Sequence, residues 1–283
     1  MNLELPEKEK IPKKRIIMYA VILLICVIAV IVVVGVQILG NDVVDNMFGI
    51  NKITKRTEEE EANLKANFEN IFDNQIEDKG EYKIQKIKQD EDLVYTNYTK
   101  EEKNEKHEID VNLPYININN EETDNFNKEI ENTFKGKAEE ILKDSNQNII
   151  YIVKYKAYVE NNILSLVIRS TLKEDSNPQR DIIQTYNYDL TNQKECTMQD
   201  LLELRGITKQ QANQAIKTEI ETVQKTIQGL EELGLSVYAR DPKSDIYSIN
   251  NVTEYFIGQD NAIYIIFAYG NENNTSEMDI VVM

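Results

Sequence analysis

YIVKYKAYVENNILSLVIRSTLKEDSNPQRDIIQTYNYDL, residues Tyr151 to Leu190, is the stretch that decides the fold. Tyr151, Val153, Tyr155, Ala157 and Val159 alternate with polar residues, the period of a strand with one buried face. Asn161-Asn162 turns the chain, and Leu164, Leu166, Ile168 and Leu172 then share a face. Ser176-Asn177-Pro178 turns it again before Ile182, Tyr186, Tyr188 and Leu190. Three such runs with two turns predict an antiparallel meander.

Upstream, Val94 to Tyr98 reads as a short strand, and the folded region is expected to begin near Leu93. Ile109, Val111 and Leu113 alternate, then the phase changes to Ile116 and Ile118 across Pro114. Such a change needs a bulge or bend. Asn120 can cap a following helix whose stripe is Phe126, Ile130, Phe134, Ala138 and Ile141; that spacing is core. Downstream, Thr197 with Asp200 and Thr208 with Gln211 are two capping-box patterns. The second opens a helix with Ala212, Ala215, Ile216, Ile220, Val223 and Ile227 inward, and Gly229 is its expected stop. Strands return at 252–257, 262–269 and 278–283. The fold class is α+β: an antiparallel sheet with helices packed on one face.

Ahead of this region, Ile16 to Gly40 is a 25-residue run without a charged side chain. As a helix it reaches about 37 Å, enough to cross a hydrocarbon layer of about 30 Å. Lys13-Lys14-Arg15 precede it, and the first cation after it is Lys52. That asymmetry places the N-terminus in the cytoplasm and the bulk of the chain outside. The run is too long for a cleaved signal peptide, and Leu23-Leu24-Ile25-Cys26 lacks the small residue of a lipoprotein signal. The expectation is an uncleaved single-pass anchor in the cell membrane. Residues 1–15 are then a cytoplasmic tail, 16–40 a transmembrane helix, and 41–92 a juxtamembrane helix and linker. In that last segment Glu58 to Glu61 precede Ala62, Leu64, Phe68, Ile71 and Phe72, followed by a charged linker through Asp78-Lys79-Gly80. The helix can pair with a second copy as a homo-oligomer or pack on the domain; both readings are open.

Composition narrows the chemistry. The chain carries a formal charge of −17; residues after the fifteenth hold 27 basic and 46 acidic side chains. That balance opposes phosphate binding, so nucleic acid is not an expected partner. It favours a cationic one. Leu201 to Ile216 has the texture of a helix-hairpin-helix DNA element, but Thr208 stands where the second glycine belongs. Cys26 lies in the span and Cys196 outside it, so no disulfide is expected, and Cys196 reads as a small buried hydrophobe. One histidine, His107, leaves no zinc site of the His/Cys type and no His-based triad. Asp90-Glu91-Asp92 and Glu121-Glu122 lack the spacing of a calcium loop. No catalytic residue, metal or cofactor is expected.

The succession carries a resemblance. Ile109 to Asn119, the 121–142 helix, Ile163 to Arg169, Thr185 to Thr191, Cys196 to Leu202 and Tyr255 to Tyr269 follow in order. Over roughly Leu93 to Met283 this resembles the extracytoplasmic region of RsiV-type anti-sigma factors and the non-catalytic N-terminal region of PdaC-type peptidoglycan deacetylases. The resemblance implies a PdaC-like α+β subdomain at 93–195 and an RsiV-like one at 196–283. It implies a bacterial envelope protein whose outer domain binds or senses a ligand. In RsiV-type members that ligand is lysozyme, a cationic protein. Where members carry a Gly-Gly-Ala-His-Gly loop, this chain has Asn177, Pro178, Gln179 and Arg180. Where many have Pro-Tyr-Glu-Ile, it has Ala268-Tyr269-Gly270-Asn271. The expected contact residues are those four together with Tyr269, Asn271 and Asn273.

The expected function is therefore a membrane-anchored, non-enzymatic extracytoplasmic domain that binds a cell-wall ligand or a cationic envelope protein. The alternatives are an RsiV-like signalling protein sensing a ligand such as lysozyme and, less favoured, a peptidoglycan-modifying enzyme using paired carboxylates. Fifteen residues with Pro6 and Pro12 before the span are expected to be too few to hold a sigma factor.

Overall fold

The structure is a computed structural model that describes residues 57–143 and 148–283. The expected tail, span and first part of the linker, residues 1–56, lie outside the described residues. Among the described residues no helix is long and apolar enough to cross a membrane. Residues from Arg56 to Met283 form one compact unit.

One sheet is built from β1 (Ile76–Asp78), β2 (Val94–Lys103), β3 (His107–Ile116), β4 (Ile149–Glu160), β5 (Ile163–Glu174), β6 (Arg180–Asp189) and β7 (Lys194–Glu195). A second holds β8 (Glu254–Ile257), β9 (Ile263–Ala268) and β10 (Met278–Val282). The helices are α1 (Glu58–Asn67), α2 (Glu121–Ile130), α3 (Gly136–Lys143), α4 (Met198–Leu204) and α5 (Lys209–Glu232).

The meander is β4–β5–β6, antiparallel throughout. Its first turn is tight because Asn161 and Asn162 both take positive φ, 51° and 60°. Two such residues give the turn whose twist matches paired strands. The whole sheet is mixed rather than antiparallel, because β3 and β1 both pair in parallel with β4. The β3 pairing follows from connectivity: α2 and α3 carry the chain from β3 to β4, and a helical crossover joins parallel neighbours. The phase change at Pro114 is matched by a register shift between Thr96 and Tyr98 on the facing strand.

Four layers result. The helix stripe Phe126, Ile130, Phe134, Ala138 and Ile141 covers one face of the large sheet, with Tyr151, Val153, Leu164, Leu166 and Ile168. Residues Glu131–Lys135 between α2 and α3 form a π turn. This extra residue per turn absorbs the drift of three successive four-residue spacings, so one stripe stays on one side. The other face of the large sheet is buried as well, which corrects the one-sided expectation. Tyr158, Val167 and Ile183 pack there against Phe256, Tyr264 and Ile266 of the small sheet. The far side of the small sheet is covered by α4 and α5 through Leu201, Leu202, Ala212, Ile216 and Ile220.

The stretch expected as a linker is part of the fold. Thr57 and Glu60 form a capping box at the start of α1, and Phe68 is 0 % exposed between the sheets. Lys156, buried, binds Asp73 and Glu77 at 2.9 Å each. Leu64 of α1 packs half-buried on the same cluster, while Ala62 is exposed. Gly229 does not end α5. The helix runs on to Glu232, and Gly234 at φ 81° closes it with Gly234 N–H to Glu231 O and Leu235 N–H to Leu230 O. This is the paired-bond C-cap that needs a residue of positive φ. Gly206 closes α4 in the same way at φ 63°, which gives the helix-hairpin-helix texture its structural role.

Candidate functional site

β6 would leave an open edge over its first half, since β7 covers only Tyr188 and Asp189. Unpaired edge groups need partners, and the chain supplies them from two other segments. Asp181 N–H donates to Thr275 O at 3.1 Å. Ile183 N–H donates to Asn271 Oδ1 at 2.9 Å, and Asn271 Nδ2 returns a bond to Ile183 O at 2.9 Å. Thr185 N–H donates to Glu254 Oε2 at 2.8 Å. Gly270 fits only because it has no side chain: a Cβ there would lie 1.9 Å from Asp181 O.

The two loops expected as a contact surface therefore meet at Arg180 and Asn271. Arg180 Nε donates to Gly270 O at 2.5 Å and its terminal nitrogen to Asn271 O at 2.8 Å. Asn177, Pro178, Gln179 and Asn273 are exposed around this junction. Tyr269 is not part of it. It is 5 % exposed, and its hydroxyl bonds Asp279 and Tyr247 while Arg240 lies 4.6 Å over its ring. An aromatic followed by a glycine reads as a loop tip in sequence; here the ring is core and the glycine is the close approach.

Beside the junction is a cleft of about 600 Å³ between α2–α3 and β6, reaching from Glu129 and Lys137 to Arg180, Gln184, Glu254 and Asn271. Glu254 and Asn271 also line a smaller cleft of about 220 Å³ on the side of Tyr238. Glu254 is the group sequence reasoning missed. Burial pushes its carboxyl up to about 7, against the lowering effect of the Thr185 hydroxyl and backbone N–H. The available signal was one acidic residue inside the short apolar run Val252 to Ile257. Lys137 and Glu174, 3.3 Å apart, close the other end.

Elsewhere the chemistry is quiet. Cys196 is buried, and desolvation raises its thiol to about 12, which suppresses the reactive thiolate. His107 is buried at the start of β3 and does not line the cleft. Among the described residues, no three His, Cys, Asp or Glu side chains are placed to hold a metal ion. No protein-family model matches the chain, and no curated protein matches it.

Proposed function

We propose that residues 57–283 are the extracytoplasmic binding or sensing domain of a single-pass membrane protein of the bacterial envelope, anchored by Ile16 to Gly40 and without enzymatic activity. The observation that carries the binding part is the junction of Arg180 with Gly270 and Asn271. Two loops far apart in sequence form one hydrogen-bonded, partly exposed rim around a cleft, as binding surfaces require. The uncharged run behind a basic flank supports the anchor. The acidic balance supports a cationic envelope protein as partner, through steering. The resemblance to RsiV-type and PdaC-type outer domains supports a wall ligand or a lysozyme-like protein on the same surface. The lone His107 and the buried thiol of Cys196 support a non-enzymatic role.

Immobilised full chain in detergent, exposed to wall fragments and to cationic envelope proteins at low salt, tests the reading. We expect retention that weakens with salt and with Asn273→Arg on the rim. Retention of nothing at low salt would overturn it.

A further inference from the structure

The charges lining the large cleft are not equally answered. Lys137 lies 3.3 Å from Glu174 and 3.7 Å from Glu140. Glu129 is exposed and accepts from the Gln184 amide at 3.0 Å. Glu254 and Arg180 differ from these. The Glu254 carboxylate accepts from Thr185 N–H and the Thr185 hydroxyl, at 2.8 and 3.1 Å. Both donors are uncharged, and among the described residues no cation stands at ion-pair distance from it. The Arg180 guanidinium is held by the backbone carbonyls of Gly270 and Asn271. Among the described residues no carboxylate stands at ion-pair distance from it either. One cleft thus presents a carboxylate without a cation and a guanidinium without an anion, and the two do not pair with each other.

Desolvating unpaired charges is costly, and an incoming group of opposite sign recovers that cost. We propose that this cleft binds a short peptide through both of its free ends, the ammonium on Glu254 and the carboxylate on Arg180. The inference rests on the reading of residues 57–283 as a binding module and adds its ligand class. The size of the cleft favours a peptide over a single amino acid. Asn271, which accepts from Arg180, is bonded to Ile183, and Glu254 is bonded to Thr185, two residues further along β6, about 7 Å at roughly 3.3 Å per strand residue. A chain of two or three residues, at about 3.5 Å each, spans that distance. A volume of about 600 Å³ lies in the range of small-ligand sites. Leu172 and Ile182, both half-buried, give the cleft an apolar wall for small side chains.

Calorimetric titration of the full chain in detergent tests this with trialanine, N-acetyl-trialanine and trialanine amide. We expect trialanine to bind and each single block to weaken binding by about tenfold or more, as loss of one charged contact implies. Glu254→Gln keeps an oxygen for Thr185 N–H, so the fold persists. In that variant N-acetylation should no longer matter while amidation still does. The proposal is overturned by absence of trialanine binding at millimolar concentration, by equal binding of blocked and free peptides, or by unchanged sensitivity to N-acetylation in Glu254→Gln. If trialanine fails while wall fragments or cationic proteins are still retained, only the ligand class falls. If trialanine binds and none of those is retained, the ligand class stands and the choice of partner falls.

Discussion

The two faces of β4–β6 are both buried, yet they are built differently. The face under α2–α3 is nearly all apolar: Tyr151, Val153, Ala157, Leu164, Leu166 and Ile168. The face under the small sheet mixes apolar side chains with buried Lys156, Ser165, Asp181 and Asn187. Ser165 donates to Asn187 at 2.6 Å and accepts from Ile257 N–H at 3.0 Å. Asn187 donates to Tyr255 O at 2.8 Å. Asp181 takes Arg169 at 2.7 Å. An apolar face tolerates sliding of its cover, whereas directional bonds fix one register. The second interface therefore sets where β8 and the Tyr269–Thr275 loop sit, and with them Glu254 and Asn271 at the cleft.

Breaking that second interface should cost most. Phe68→Ala empties a site closed by Phe256 and Tyr264 and should lower stability by about 3–5 kcal/mol, read as a shifted urea midpoint. A loss below about 1 kcal/mol would show that the 57–78 segment is not integral. Asn187→Leu keeps the branched outline of the side chain, at a larger volume, but strands the Tyr255 carbonyl and the Ser165 hydroxyl. We expect a loss of about 3 kcal/mol.

Glu254 sharpens the contrast through pH. Its folded-state pKa, about 7, lies above the ordinary value of 4.5. Between those values the native state holds a proton that the unfolded chain releases. The contribution of this group to stability should therefore be greatest below about pH 4.5 and fall as pH rises through 7, by up to about 3 kcal/mol. Glu254→Gln should flatten that part of the profile; a slope equal to the parent's would contradict the assignment. Smallest of all, Leu166→Met on the helix-covered face should cost under about 1.5 kcal/mol. A cost as large as that of Asn187→Leu would erase the distinction between the faces.

This difference also marks what was legible in the sequence. Alternation in Tyr151–Val159 and Leu164–Leu172 exposed the apolar face, and the 126–141 stripe exposed its helical cover. The second face was hidden because Lys156, Ser165, Asp181 and Asn187 look solvent-facing until their partners are known. Parallel pairing of β3 with β4 was implied by the strand–helix–strand order but was masked by the meander that follows. Phe68 was visible as apolar, while its destination depended on residues nearly 190 positions away. At the site, Arg180 and Asn271 were placed in candidate loops, but their meeting rests on backbone geometry at Gly270. Glu254 carried only the weak signal of a charge within a short strand.

The proposed binding role depends most directly on which side of the membrane residues 57–283 occupy. Intact cells carrying the full chain with a C-terminal epitope tag, treated with an external protease, give the answer. We expect the tag to be removed while a cytoplasmic marker survives. A tag that stays protected until the membrane is permeabilised would place the domain inside and contradict the anchored extracytoplasmic reading.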